Sequence, residues 1–286
     1  ANHGYLLKTT SPSGESSFRE VRSHVHFSDW SANASAAEDL LSRASVKVVS
    51  MTVTESGYYL NDDWSLNADH PVIRSEIKGT EAASIYMYLA KALARRMESI
   101  NAPITVLCCD NIRSNGDVLG RNFKNYLNLI GKPEIADWVE KNATFPNSMV
   151  DRITPRATDV LRTEIAALSP SHSATAIHGE SFSQWVVKND FASAFPALDQ
   201  VGVEIVDDVN PYEEAKIRVL NGGHTAVCYL GALAGHRTFD EAMSNPVLRA
   251  HFDGYETENV LPGLTLPLPF SKADYRDLIA ERFSNS

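Results

Sequence analysis

Two hydrophobic periods share this chain. Short apolar or alternating runs point to strands, and longer stretches with apolar residues three and four apart point to helices. Tyr5 to Thr9, a turn at Ser11-Pro12-Ser13-Gly14 and a run from Phe18 to Phe27 predict a β-hairpin. Ala34 to Arg43 predicts a short helix. Val46 to Glu55 has the low polar alternation of a buried parallel strand, and it runs into a loop carrying Thr52, Thr54 and Glu55. From Thr80 to Met97, residues Ala82, Ile85, Tyr86, Leu89, Leu93 and Met97 recur at helical spacing, with Lys91, Arg95 and Arg96 toward the C-terminus. A second buried strand, Ile104 to Cys109, ends in Asp110-Asn111, and a helix over Leu119 to Leu129 follows. Strand, helix, strand, helix is the order of α/β layering. Ligands collect beyond the carboxyl ends of parallel strands, so both polar strand exits are site candidates. Each could equally be a strand stop or a helix cap.

Further along, Asp151-Arg152 sits between apolar residues ahead of Pro155, as a structural salt bridge or a substrate contact would. Arg156 to Ser173 predicts a helix and a polar junction, and Phe182 to Val187 and Val203 to Asp208 predict strands. The remainder reads as helical. Phe239 onward carries Glu256, Glu258 and Asn259 toward solvent or toward a site, and a last helix begins near Lys272 and runs toward Asn285-Ser286.

The helix opening at Asn210 organises the rest. Asn210 can cap it, Pro211 suits its first position and Glu213 stands where a capping box wants its acid. Measured from Lys216 at roughly 100° per residue, Glu213 lies at about 60°, His224 at about 80° and Asn221 at about 140°. A carboxylate, an amine, a carboxamide and an imidazole thus share one half of a helix over about 16 Å of axis. Ile217, Val219, Leu220, Val227, Cys228 and Leu230 mark the segment as largely buried, and Gly222-Gly223 suits close approach of another backbone or a ligand. One reading is a packed helix with a solvated stripe, Lys216 reaching outward and His224 satisfied in the core. The other is functional: a lysine among apolar neighbours loses proton affinity and becomes a usable base.

Charge and cysteines narrow the function. A chain of 286 residues with a formal charge of −10 and no run of Lys or Arg is a poor general nucleic-acid binder. Three cysteines, two of them adjacent, suggest neither a disulfide framework nor a metal cluster, and their plain reading is reduced thiols in a cytoplasmic protein. No secretory leader and no apolar run near 18 residues occur, so no membrane partner is expected.

Four blocks, Thr52 to Tyr59, Cys109 to Asn111, Phe145 to Pro155 and Lys216 to His224, together resemble the long-chain polyol dehydrogenases of the mannitol dehydrogenase family. The last is close to that family's K-x-x-x-x-N-x-x-H signature, and the likeness extends over essentially the whole chain. The resemblance implies a Rossmann-like α/β nucleotide-binding domain, expected over 1–165, followed by a mainly α-helical substrate domain, expected over 166–286. It implies reversible NAD-dependent oxidation of a secondary alcohol to a ketose, with NADP not excluded and no metal. Lys216 matches the general base, Asn111 and Asn221 the carboxamides that hold the reacting oxygen, and His224 a substrate-positioning group. Asp151 matches a substrate-hydroxyl contact and Glu213 a carboxylate on the proton path. Thr52, Thr54 and Glu55, with Asn111, fall on the cofactor side.

Two departures from the family pattern shape the expectations. The family places a Gly-rich turn after its first strand, and no such turn occurs near residue 1. The family also continues past the last helix. The chain therefore reads as an internal fragment, expected to bind dinucleotide weakly by itself because that turn holds the pyrophosphate. The expected partner is a small sugar alcohol or its ketose, and the expected state is a monomer or weak oligomer. A hexuronate reductase of the fructuronate or tagaturonate type shares the Lys, Asn and His pattern and would favour an extra cation in the pocket. A non-catalytic sugar-sensing relative would leave Lys216, Asn221, His224, Asn111 and Asp151 without a reason to occur together.

Overall fold

The side chains of Asn33, His70, Ser84, Thr158, Asn245 and Ser271 each accept a free backbone N–H and so mark where six of the helices begin. The computed structural model describes residues 4–11, 14–81 and 83–284, so Pro12 and Ser13 of the expected turn, Ala82 of the expected helix and Asn285-Ser286 lie outside the described residues. In chain order come β1 (Tyr5–Thr10), β2 (Ser16–Val21), α1 (Ala34–Glu38), β3 (Val48–Met51), α2 (Pro71–Ile77), α3 (Ile85–Ser99) and β4 (Ile104–Cys108). Next are α4 (Asn115–Leu129), α5 (Pro133–Asn142), β5 (Ala143–Thr144), β6 (Ser148–Asp151), α6 (Asp159–Leu168), β7 (Ile177–Glu180), β8 (Gln184–Lys188) and β9 (Glu204–Val206). The last part holds α7 (Asn210–Ala215), a π-helical segment Lys216–Asn221, α8 (Gly222–Leu233), α9 (Phe239–Ser244) and α10 (Pro246–Gly254). A second π-helical segment, Tyr255–Val260, then leads into α11 (Leu261–Gly263) and α12 (Lys272–Phe283).

The chain forms two compact units, each drawn from more than one stretch. One comprises 28–150 and 184–209. Here β3 and β4 run parallel, Val48 opposite Thr105 and Met51 opposite Cys108, and β5 runs parallel on the far side of β4. Leu89, Leu93, Val106, Phe123 and Val139 meet in the core between this sheet and helices α3, α4 and α5. A second sheet, in the order β6-β8-β9, adds Val187 and Val203 against Leu107. This is the α/β layering expected. Ser84 caps α3 by accepting from the Met87 N–H at 3.1 Å, while Arg96 near the other end is fully buried. Its guanidinium donates to the carbonyls of Leu41, Ala102 and Pro103 at 2.6–2.9 Å, so it ties loops together in addition to suiting the helix dipole.

β3 is shorter and less buried than its pattern suggests: Val48 and Val49 are half-buried and Ser50 is exposed. The ladder stops because the Asp110 carboxylate takes the N–H groups of Val53 and Thr54 at 2.9 and 3.0 Å. The loop then carries Thr54 at φ +64°, a conformation costly for a β-branched residue and held by those bonds.

The other unit comprises 1–27, 151–183 and 210–286. Its hairpin pairs β1 and β2 with Tyr5 opposite Val21 and Thr10 opposite Ser16, so β2 ends well before Phe27. β7, which the apolar pattern does not reveal because it reads Ile177-His178-Gly179-Glu180, lies parallel to β1. The larger core joins Val219, Val227, Phe252, Val260, Ile279 and Phe283 from the helices after residue 210. Among the described residues no helix is long and apolar enough to cross a membrane.

Candidate active site

Lys216 opens the first π-helical segment and Asn221 closes it. The flat 100° projection used for the sequence is therefore wrong across this stretch. A π turn bonds residue i to i+5 and advances roughly 80° per residue, which carries Asn221 to about 40° from Lys216 instead of about 140°. Three α-helical steps then bring His224 to within about 20° of Lys216. Glu213, three steps before Lys216 on α7, keeps its place at about 60°. The four groups fall in one narrow column. Its lower end is buried, with Glu213 and Lys216 only 5% and 7% exposed, and its upper end, Asn221 and His224, is open. Lys216 is thus not the outward-reaching lysine of the packed-helix reading, while Ile217 and Leu230 are more exposed than their apolar character suggests.

The glycine pair makes room for a neighbour. A Cβ on Gly223 would lie 2.7 Å from Phe252 Cε2 and 2.8 Å from Glu256 Oε1, and one on Gly222 would lie 3.4 Å from Tyr255 Oη. Side chains of α10 and of the second π-helical segment therefore press directly onto the turn between Lys216 and His224. Of the polar residues on that segment, Thr257, Glu258 and Asn259 are exposed and Glu256 is completely buried. Among the described residues neither oxygen of Glu256 has a hydrogen-bond partner, and burial pushes its carboxyl up to about 8 although the Arg276 charge works against the shift.

His224 stacks face to face on Phe239 at 4.5 Å and 7°, with Phe283 edge-on at 6.0 Å. Partial burial against these rings lowers its pKa below the ordinary imidazole value, which favours the neutral ring. Asp151, at the end of β6, accepts from Arg282 Nη1 at 2.6 Å and Nη2 at 2.8 Å. The same guanidinium donates to Glu180 from Nε at 3.0 Å and Nη2 at 2.7 Å, and it lies over the Phe182 ring at 4.1 Å. Asp151 is therefore salt-bridged, but to Arg282 and not to Arg152, whose guanidinium donates to the Glu180 carbonyl.

In the α/β unit, Thr52, Thr54 and Glu55 follow β3 and Asn111 follows β4, all four exposed. Asp110 is the group that holds this corner: besides the two loop N–H groups it accepts from Tyr58 Oη at 2.6 Å. Asn115 supports it from below, donating to the carbonyls of Cys108, Asp110 and Ser148 at 2.9–3.1 Å and accepting from the Ser148 N–H at 2.9 Å. Past the loop, a cavity of about 530 Å³ is lined by Glu55, Tyr59, Trp64 and His70 among others.

Tyr58, Asn115, Glu180 and Arg282 were not visible as site-shaping residues in the sequence. One signal existed for Arg282. With Tyr275 and Ile279 it completes an i, i+4, i+7 stripe, the buried face of α12, where a cation needs buried partners.

Two family models match this chain: the mannitol dehydrogenase Rossmann domain over residues 6–200 and the mannitol dehydrogenase C-terminal domain over 208–286. A D-arabinitol 4-dehydrogenase of Klebsiella pneumoniae is 39% identical over 286 residues, covering 98% of this chain and 61% of that protein. A D-sorbitol dehydrogenase solved in substrate-free form superposes with a TM-score of 0.90 at 34% identity, over 99% of this chain and 59% of that one. The Pseudomonas fluorescens mannitol 2-dehydrogenase, solved as a ternary complex with NAD and D-mannitol, superposes with a TM-score of 0.89 at 32% identity, over 99% of this chain and 58% of that one. The chain thus spans about 60% of the length of these relatives and as little as 43% of others it matches.

Proposed function

The chain belongs to the mannitol dehydrogenase family, and from that premise we infer that the full-length protein interconverts a sugar alcohol and its ketose with a nicotinamide cofactor, NAD in the first place. The observation that carries this reading is the column on the α7–π–α8 helix, in which a buried lysine, a carboxamide and an imidazole share one face. That arrangement suits proton removal from a secondary alcohol. Lys216 in its neutral form takes the hydroxyl proton, and Glu213, buried one turn below it, offers that proton a way out. The carboxamide N–H groups of Asn221 and Asn111 stabilise the oxygen as alkoxide in oxidation, or polarise it as carbonyl in reduction. His224 and Asp151 satisfy the remaining hydroxyls, since polar groups left unpaired in a closed site are costly.

A bound nicotinamide accepts or returns the hydride. The residues present fit its reactive end: β3 and β4 finish side by side in parallel, and their exits expose Thr52, Thr54 and Asn111 on a loop made rigid by Asp110. Glu55 is exposed on the same loop, where it can meet a ribose hydroxyl.

The test is NAD(H)- and NADP(H)-linked turnover by the full-length protein on D-arabinitol, D-mannitol, D-sorbitol, their ketoses and fructuronate, with Lys216→Ala beside the parent. Polyol-dependent turnover that falls about 10²- to 10⁴-fold in a folded Lys216→Ala variant is the expected result. Turnover on fructuronate alone would overturn the substrate class, and an unaffected alanine variant would overturn the base.

A further inference from the structure

Two consecutive residues at the end of α12 reach both groups read above as substrate contacts. Arg282 holds Asp151 and Phe283 packs against His224. We propose that the Arg282-Phe283 pair, anchored by Glu180, is the positioning element for the substrate end of the site; the inference rests on the reading of Asp151 and His224 as substrate contacts.

The Arg282 side is the more fully determined. Its guanidinium offers five N–H donors in a rigid plane, and three nitrogens are used by two carboxylates, with Nη2 shared between Asp151 at 2.8 Å and Glu180 at 2.7 Å. The two parallel bonds to Asp151 fix the plane of that carboxylate as well as its position. An ionised carboxylate has about four lone-pair directions, so two remain for sugar hydroxyls after Arg282 has taken its pair. Glu180 sets the guanidinium in turn and is itself held by the Ile153 N–H at 2.7 Å. The cluster is largely buried, with Arg282, Glu180 and Asp151 3%, 6% and 6% exposed, and Phe182 covers one face of the guanidinium. A lysine in place of Arg282 would keep the charge and lose the planar fork.

The Phe283 side works by packing. Its ring meets Phe239 edge-on at 4.6 Å, and Phe239 carries the stacked His224 ring. α12 also packs on the π-helical segment that holds Lys216. One rigid helix end therefore sets the spacing between a carboxylate and an imidazole presented to the same polyol.

The experiment uses the full-length protein. Arg282→Lys, Glu180→Gln and Phe283→Leu are compared with Asp151→Asn for polyol KM, kcat, NADH Kd and melting temperature. We expect Asp151→Asn and Arg282→Lys each to raise polyol KM on the order of tenfold, and Glu180→Gln and Phe283→Leu about threefold, with kcat and NADH Kd moving much less. Polyol KM within twofold of the parent in Arg282→Lys and Glu180→Gln, while Asp151→Asn raises it, makes the cluster a scaffold and overturns the proposal. An unchanged KM in Asp151→Asn overturns the underlying reading of that residue, and positioning through it falls as well. Should Arg282→Lys fail to fold, Glu180→Gln decides, because the amide is isosteric and keeps one oxygen to accept from the guanidinium while the other bond is lost.

Discussion

Glu256 gives a sharp test of the packing beside the candidate site. Both its oxygens are buried without a partner among the described residues, and burial raises the carboxyl from an ordinary 4.5 to about 8. The nearby Arg276 helps little, since it also pairs with Asp253 at 3.8 Å and Asp277 at 2.6 Å. The folded protein therefore binds this proton more tightly than the unfolded chain does. Stability linked to the group is fully present below about pH 4.5, declines as pH rises through the interval and levels off above about pH 8. At about 1.4 kcal/mol per pH unit, the interval from 4.5 to about 8 corresponds to roughly 5 kcal/mol, and relaxation and water entry reduce this to about 3–5 kcal/mol. Glu256→Gln cannot ionise. Urea unfolding of variant and parent should give nearly equal stabilities at pH 5, and a variant more stable by about 3–5 kcal/mol at pH 9. A difference independent of pH would refute the reasoning, because Gln and neutral Glu bury the same volume and only ionisation separates them.

Two further substitutions probe candidate residues, one in each unit. Gly223→Ala adds a methyl 2.7 Å from Phe252 Cε2 and 2.8 Å from Glu256 Oε1; overpacking of about 1–3 kcal/mol outweighs a helix-propensity gain of about 1, so urea unfolding should show a loss of up to ~2 kcal/mol. The polyol kcat/KM should fall beyond that, since the turn between Lys216 and His224 must shift, and a variant of parental stability and activity would mean that the glycine is not needed for the approach. Asp110→Asn removes one acceptor oxygen from a carboxylate that serves the Val53 and Thr54 N–H groups and the Tyr58 hydroxyl, so about 2–3 kcal/mol of stability and a weaker NADH Kd are expected, read by melting and by cofactor titration.

The periodic parts of the fold were legible because burial on one face writes itself into spacing. α3, α4 and β4 fall within a few residues of their apolar runs. β7 was not, because Ile177-His178-Gly179-Glu180 owes its place to pairing with β1 and to the buried partners of Glu180, neither of which leaves an apolar trace. Likewise β3 ends early through Asp110, a contact 56 and 57 residues away in sequence. The candidate site was legible where one helix carries it and illegible where distant residues close it. Glu213, Lys216, Asn221 and His224 could be read together; Arg282, 131 residues from Asp151, could not.

The π-helical segment also changes what the spacing between Lys216 and Asn221 means. On an α-helix five residues separate two side chains by about 140°, so a base and an oxygen-holding carboxamide at that distance would look past each other. Inserting one residue per turn costs helix stability, and it persists where packing compensates. Here the compensation is visible: Gly222-Gly223 receives Phe252, Tyr255 and Glu256 from a neighbouring helix that contains a π-helical segment of its own. The widened turn therefore brings the amine, the carboxamide and the imidazole into one column, and the glycines let the neighbour hold it in that form. The K-x-x-x-x-N-x-x-H spacing is a constraint on helix type as much as on chemistry, because the wider turn is what brings those three residues toward one side of the helix.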